Sequence, residues 1–279
     1  MTSIITAGCS FTEDSHSWAN VLQNKLSKNY NVYNCAMGGV GQEYIVRSAM
    51  MKLHETKGPK ICIAQFSGFS RIEINIEKQE NPLFDKIMKE LPDWEHNKTW
   101  YNKTLSQDDF FILKTTDIGH HWWSRKPTVA KTLDTINQIY GIDQRLCWTY
   151  ENILKLQLYC KQNNIPLFCF WGWADCRPCY LEGASNGKID ERKFPLASKM
   201  YNLVDWNNFW FHNNCDGMAE WMIDRGHTGK LEEDHTNNTP KGYYEYEGKK
   251  FMIGHPTSTA HNDFCCLLYT SDAADDVIS

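Results

Sequence analysis

One serine lies at a point in the chain where the backbone can activate it as a nucleophile. Ser10 follows a short apolar run at residues 2–8 and precedes a segment, Trp18 to Leu26, whose apolar residues recur at helical spacing. The order strand, tight turn, helix places backbone N–H groups and the positive end of the helix dipole near such a serine. The same position also suits an N-cap serine that serves only the following helix. Nucleophilic catalysis therefore needs partners elsewhere in the chain.

A glycine turn and a histidine supply the two other groups that acyl transfer requires. Gly39 lies in the turn at 38–41, after a second apolar run at 30–36, and offers a backbone N–H that no Cβ obstructs, which suits an oxyanion. His255 precedes Pro256 at the start of a last helical pattern, and its imidazole could act as a general base. Ligands of open α/β sheets bind at the carboxyl ends of the strands, where we expect these loops to meet.

Strand and helix patterns alternate along the chain. Strands are predicted at 2–8, 30–36, 60–67 and 165–171, and helices at 18–26, 42–56, 83–90, 129–163 and 255–264. This alternation predicts an α/β fold, a three-layer α/β/α sandwich with a central, mostly parallel sheet of the flavodoxin-like kind. Residues 81–128 and 177–254 lose clear periodicity and are predicted to be irregular insertions in one domain that spans 1–265.

The tail at 266–279 differs from the rest of the chain. Cys266 to Asp275 resembles one reading frame of a common transposon-type sequencing adapter. We therefore expect residues 266–279 to be a non-native tail and the native C-terminus to be missing.

Three segments resemble the blocks of the SGNH (GDSL-like) hydrolases. Residues 8–12, G-C-S-F-T, resemble the first block, usually written G-D-S, in a variant similar to phage and marine environmental sequences. Residues 34–42 resemble the second block and residues 255–261 the last. The blocks stand in family order and span almost the whole chain. The resemblance implies a serine esterase with Ser10 as nucleophile, His255 as base, and the N–H groups of Ser10 and Gly39 in the oxyanion hole.

The chain departs from this family at three positions. Cys9 replaces the Asp of the first block, which is not the nucleophile. The third block normally supplies an Asn to the oxyanion hole, and Ser67 is the nearest polar candidate here, with one hydroxyl proton to donate. The acid that orients the histidine normally lies three residues before it, where this chain has Met252. A backbone carbonyl could hold the ring instead, or one of five acidic residues could serve: Glu232, Glu233, Asp234, Glu245 or Glu247.

Two functions therefore stay open. The first is hydrolysis of an ester, such as an O-acyl group of a carbohydrate, through an acyl-enzyme on Ser10; transfer of the acyl group to another hydroxyl would use the same site. The second is a catalytically inactive SGNH scaffold that acts as a phage accessory or glycan-binding module, which the Met at position 252 favours.

Other motifs are interpreted as structural. The G-x-S-x-G match at 183–187 lacks the preceding strand and following helix that a nucleophile elbow requires, so we expect a surface turn. Cys176 and Cys179 lack a second pair of zinc ligands. His227 and the acidic stretch at 232–235 are expected in a solvated loop, and His261 is expected to be structural. No metal or cofactor is predicted.

Composition narrows the partners and the compartment. The 279 residues carry 29 basic and 34 acidic side chains, a net charge of −5 without a basic stripe, so a nucleic acid partner is not expected. Eleven cysteines without framework spacing, and no signal peptide, predict a reducing cytoplasm, the host's if the chain is viral. No apolar run approaches the roughly 20 residues of a membrane span. The sequence leaves the oligomeric state open.

Overall fold

The structure is a computed structural model. It describes residues 1–69, 71, 73–77, 82–90, 110–114, 127–173, 184–185, 188–213, 216–230, 243–246, 249–252 and 254–270.

The described residues form thirteen strands and nine α-helices, numbered here in chain order. The strands are β1 (Thr2–Ala7), β2 (Tyr30–Asn34), β3 (Lys60–Phe66), β4 (Glu73–Glu77), β5 (Phe110–Lys114), β6 (Leu167–Trp171), β7 (Ala184–Ser185), β8 (Lys188–Ile189), β9 (Phe209–Trp210), β10 (Gly229–Lys230), β11 (Tyr243–Tyr246), β12 (Lys249–Met252) and β13 (His255–Pro256). The helices are α1 (Ser10–Glu13), α2 (Trp18–Leu26), α3 (Gln42–Glu55), α4 (Pro82–Glu90), α5 (Pro127–Ile139), α6 (Ile142–Gln162), α7 (Pro195–Tyr201), α8 (Met218–Asp224) and α9 (Ser258–Thr270).

Five strands form the central sheet in the order β2-β1-β3-β6-β9. Every pairing within it is parallel, with Ile4 of β1 opposite Val32 of β2 and Ile61 of β3. The residues of β6 are all buried, and those of β1 and β3 are buried after their first residue, as expected for strands covered on both faces. The predicted α/β sandwich with a mostly parallel sheet is confirmed.

Helices cover both faces of this sheet. On one face α3 packs against β1 and β3, and α6 packs against α3 and α7. On the other face α2 packs against β2, and α9 packs against α2 and α8. Phe170 of β6 joins the second layer to the sheet, since its ring lies 5.3 Å from that of Trp18 and 5.0 Å from that of Phe264. The apolar residues of these layers form the core.

The elements differ from the sequence prediction in several places. The helix predicted at 129–163 is divided into α5 and α6, because the chain is extended at Gly141. The region 177–254, predicted to be irregular, contains the fifth strand β9 and the helices α7 and α8. His255, predicted to begin the last helix, instead lies in β13 and pairs with Lys230 of β10. In the predicted insertion at 81–128, α4 and β5 are described, and 91–109 and 115–126 lie outside the described residues.

The last helix crosses the predicted domain boundary at 265. It continues to Thr270, and Leu268 is buried within it, whereas residues 271–279 lie outside the described residues. The single domain and the non-native tail stay predictions. In the part of the chain that the structure describes, no helix has the length and apolar character needed to cross a membrane.

Candidate active site

The nucleophile candidate begins a single helical turn at the carboxyl end of β1. Cys9 is the N-cap of α1, and its carbonyl accepts the N–H groups of Thr12 at 2.9 Å and Glu13 at 3.0 Å. Ser10 is the first residue of this helix and is half-buried. The first N–H groups of a helix have no acceptor within it. The N–H of Ser10 is one of these groups and can therefore donate to a ligand.

A buried hydrogen-bond network fixes this turn to the sheet. The side-chain oxygen of Gln65 in β3 accepts the hydroxyl of Thr12 at 2.9 Å and the N–H of Cys9 at 3.4 Å. The Thr12 hydroxyl oxygen in turn accepts the indole N–H of Trp18 at 3.1 Å, which connects the turn to α2. The sequence analysis missed Gln65, although a polar residue within an otherwise apolar strand is a signal for such a role.

The first two blocks are bonded to each other. The carbonyl of Thr12 accepts the side-chain amide of Asn34 at 2.7 Å, and the N–H of Gly38 donates to Glu13 Oε2 at 2.6 Å. A Cβ built on Gly38 would lie 3.6 Å from the Cβ of Ser10. The glycine turn therefore lies directly against the serine.

Gly39 occupies a backbone conformation that explains the glycine at this position. Its φ is +72°, in the left-handed region that other residues adopt at a cost. The structure thus brings Ser10 and the turn that contains Gly39 together, at the edge where the sequence analysis expects an oxyanion hole.

Ser67 is bonded in a way that does not suit the predicted third oxyanion donor. Its side chain is fully buried, and its hydroxyl donates to the carbonyl of Val40 at 2.8 Å. Gln42 adds two bonds to the Ser67 backbone, accepting the N–H at 3.0 Å and donating to the carbonyl. Because a serine has one hydroxyl proton and this one is already donated, Ser67 as placed joins the end of β3 to the glycine turn instead.

His255 comes to the nucleophile turn from the other end of the chain. β13 contacts α1, and the imidazole of His255, which is only 8% exposed, lies 5.4 Å from the ring of Phe11, the residue after Ser10. The structure therefore brings Ser10, Gly39 and His255 to one edge of the sheet.

The position of the family's acid is occupied by an apolar side chain. Met252 ends β12 and packs, half-buried, against the hydrophobic core. Among the acidic candidates, Glu245 pairs through its backbone with Lys250 in the β11–β12 hairpin, but its side chain lies outside what the structure describes. Glu232, Glu233, Asp234 and Glu247 lie outside the described residues.

Two further residues, to which no role was assigned from the sequence, complete this edge. The ring of Trp173, just after β6, lies 5.0 Å from the ring of Phe11. The guanidinium carbon of Arg71, after β3, lies 4.8 Å from the centre of the Trp173 ring. A Cβ on Gly41 would lie 2.3 Å from the Arg71 carbonyl oxygen, so the glycine permits the two loops to touch.

The other motifs lie away from this arrangement or outside the described residues. Ser185 belongs to the β7–β8 hairpin, which is not the strand-to-helix turn of a nucleophile elbow. Cys176 and Cys179 lie outside the described residues, and His261 is fully buried in α9. His227 Nε2 lies 3.1 Å from a carboxylate oxygen of Asp263. Within the described ranges no three His, Cys, Asp or Glu side chains form a metal-binding group.

A pair formed by a histidine and an aspartate beyond β9 was also not expected from the sequence. His212 Nε2 lies 2.7 Å from a carboxylate oxygen of Asp224, and the side-chain amide of Asn213 contacts both.

Comparison with family models, curated proteins and solved structures finds no match to this chain. A proposal about its function must therefore stand on the geometry of this edge of the sheet.

Proposed function

We propose that this chain is a serine esterase of the SGNH type, which hydrolyses an ester through an acyl-enzyme on Ser10. One observation carries the proposal: three segments distant in the sequence meet at the carboxyl edge of the sheet. The glycine turn lies against Ser10, and the His255 imidazole lies 5.4 Å from the ring of the adjacent Phe11. Acyl transfer requires a nucleophile, an oxyanion donor and a base in this kind of proximity.

The proposed reaction has two steps. Ser10 Oγ attacks the ester carbonyl while His255 accepts its proton, and the N–H groups of Ser10 and Gly39 donate to the oxyanion. His255 then protonates the departing alcohol, which leaves the acyl group on Ser10. A water molecule, deprotonated by His255, attacks the acyl-enzyme and releases the acid, and the proton returns to Ser10.

The substrate we favour is a small ester such as an O-acyl group on a carbohydrate. Phe11 and Trp173 form an aromatic pair beside the proposed nucleophile, and Trp173 is half-buried. Phe11 is buried, so Trp173 is the ring of this pair that can offer apolar surface to a sugar.

An inactive binding scaffold is the second candidate, and two observations favour it. Met252 gives the family's acid position an apolar side chain, and the Ser67 hydroxyl is already donated to Val40. In this reading the same edge of the sheet would bind an ester or a glycan without cleaving it.

Covalent labelling separates the two candidates. A fluorophosphonate probe should label the wild type and not Ser10→Ala, and turnover of p-nitrophenyl acetate should fall about a thousandfold or more in that variant. Ser15→Ala is the matched control, because Ser15 is an exposed serine in the same segment. Equal turnover by Ser10→Ala would contradict the esterase, and an unlabelled wild type with a folded circular-dichroism spectrum would favour the scaffold.

A further inference from the structure

We propose that Arg71 binds an anionic group of the substrate, so that this site selects esters that carry a carboxylate, sulfate or phosphate near the scissile bond. The inference rests on the proposed function, because it assigns a substrate class to the same site.

The Arg71 side chain is incompletely bonded. Its guanidinium nitrogen Nη1 is buried and, within the part of the chain that the structure describes, has no hydrogen-bond partner. None of the ion pairs among the described residues involves Arg71. Buried charged groups in proteins are normally paired, because removal from water without a partner is costly. Arg71 as a whole is half-buried, and an anion bound to its guanidinium would offset this cost.

Arg71 lies close to the proposed nucleophile turn. The Trp173 ring lies between Arg71 and Phe11, the residue after Ser10. Its centre is 5.0 Å from the centre of the Phe11 ring and 4.8 Å from the guanidinium carbon of Arg71. The Arg71 backbone also touches Gly41, in the same turn as Gly39. Arg71 therefore belongs to the loops that surround the proposed nucleophile rather than to a remote surface.

The guanidinium of Arg71 can donate several hydrogen bonds from one plane. Its guanidinium carbon lies over the Trp173 ring, a cation–π contact that uses none of the N–H groups in hydrogen bonds. A guanidinium held in this way can donate two parallel hydrogen bonds to an oxyanion of planar or tetrahedral shape. The Glu13 carboxylate, which accepts the N–H of Gly38, forms no ion pair with Arg71 among the described residues.

Paired substrates test the proposal and show which side of the ester carries the charge. On the acyl side, mono-4-nitrophenyl glutarate is compared with 4-nitrophenyl valerate, in which a methyl group replaces the carboxylate. On the alcohol side, 3-acetoxybenzoate is compared with its methyl ester. For at least one of the two pairs, the wild type should favour the anionic substrate by about tenfold or more in kcat/KM. The reason is that hydrogen bonds to charged groups contribute more than hydrogen bonds between neutral groups. Arg71→Gln should bring that ratio near one by slowing only the anionic substrate, and Arg71→Lys should retain part of it.

Arg225→Gln is the matched control. Arg225 also stacks on a tryptophan, with its guanidinium carbon 4.7 Å from the ring of Trp221, but it is exposed on α8's C-terminal side. This variant should keep the wild-type ratio. A wild type that hydrolyses both members of each pair equally well would overturn the proposal while leaving the esterase intact.

Ligand binding to a variant that lacks the nucleophile tests the anion site independently of the esterase. Ser10→Ala is titrated calorimetrically with monomethyl glutarate, an anion, and with dimethyl glutarate, its neutral counterpart. We expect the anion to bind at least about tenfold more tightly, and the preference to disappear in Ser10→Ala combined with Arg71→Gln. Preferential binding without turnover by the wild type would support the anion site and reject the esterase. Equal affinities for the two compounds would reject the anion site.

Discussion

At the scale of single residues, Gln65 joins the nucleophile turn to the central sheet. Its carboxamide oxygen accepts donors from Thr12 and Cys9 on either side of Ser10, while its nitrogen donates to the Phe66 carbonyl at 2.8 Å. These groups are buried, so water cannot replace a lost bond, and each unsatisfied donor costs about 1–3 kcal/mol. The position of Ser10 therefore depends on a residue that does not touch the substrate in the proposed reaction.

We predict that Gln65→Met lowers both stability and reactivity. Methionine is of similar length but offers no comparable acceptor, so the free energy of unfolding should fall by about 2–4 kcal/mol as two buried donors lose their partner. The rate of fluorophosphonate labelling at Ser10 should fall by about tenfold or more as the turn relaxes. Denaturant unfolding and labelling kinetics measure the two effects.

Gln157→Met provides the comparison for that experiment. Gln157 is also buried, and its side chain bonds the backbone of Asp205 through both its nitrogen, at 2.6 Å, and its oxygen, at 3.0 Å. Asp205 precedes β9, so these bonds lie toward the amino end of the sheet, away from Ser10. Gln157→Met should lose stability and keep the wild-type labelling rate. If both variants label equally fast, Gln65 does not position the nucleophile.

At the scale of elements, the turn between β2 and α3 matters because its geometry sets the direction of an N–H group. Gly39 has φ of +72°, and the adjoining Gly38 bonds to Glu13 of α1. An alanine at a left-handed position costs about 1–2 kcal/mol, which the turn can relieve by changing shape. A changed turn would redirect the N–H that we assign to the oxyanion.

We predict that Gly39→Ala reduces activity more than its stability loss explains. Gly58→Ala is the control, since Gly58 has φ of +83° in the loop before β3 and its side-chain position is open. Both variants should lose about 1–2 kcal/mol of stability from the same backbone strain. Only Gly39→Ala should lower kcat, by about tenfold or more, because removal of an oxyanion donor acts on the transition state. A normal kcat in Gly39→Ala would remove the glycine turn from the proposed mechanism.

The elements that the sequence predicted are those with long, regular patterns. Residues 60–67 and 165–171 read as strands because they are continuous apolar runs, and β3 and β6 lie there. The fifth strand was not predicted because Phe209–Trp210 has only two residues, too few to show the alternation of a strand. The break between α5 and α6 at Gly141 was not predicted because the apolar pattern of the two helices continues across it.

Within the candidate site, the sequence indicated the backbone positions better than the side-chain bonds. Ser10 and Gly39 meet because loops at the carboxyl ends of neighbouring parallel strands lie together, whereas His255 reaches the same edge from β13, outside the central sheet. The hydroxyl of Ser67 points to Val40, and the stacking of Arg71 on Trp173 joins loops that are distant in the chain. Such pairings depend on tertiary contacts that no local pattern encodes.

At the scale of the whole molecule, cysteines contribute to the core on both sides of the sheet. All eight cysteines of the described residues are free thiols, and Cys62, Cys169 and Cys265 are fully buried. Burial raises the pKa of Cys169 well above its ordinary value, and a hydrogen bond with Cys160 together with burial does the same for Cys62. Burial also raises the pKa of Cys265 to about 12, against the opposing effect of Lys25. Deprotonation of these thiols would therefore destabilise the folded core.

We therefore predict that stability declines at alkaline pH and that replacement of Cys265 makes this decline shallower. An unfolded cysteine has a pKa of about 8.5, so above that pH the unfolded chain loses the Cys265 proton while the folded chain retains it. The stabilising contribution is complete below about pH 8.5 and is lost as the pH rises toward about 12. Denaturant unfolding between pH 8 and 11 should give Cys265→Ala a shallower decline than the wild type, by up to about 1.4 kcal/mol per pH unit. Val46→Ala, which removes buried volume but no titratable group, should lower stability and keep the wild-type slope. Equal slopes for wild type and Cys265→Ala would show that this thiol does not link folding to pH.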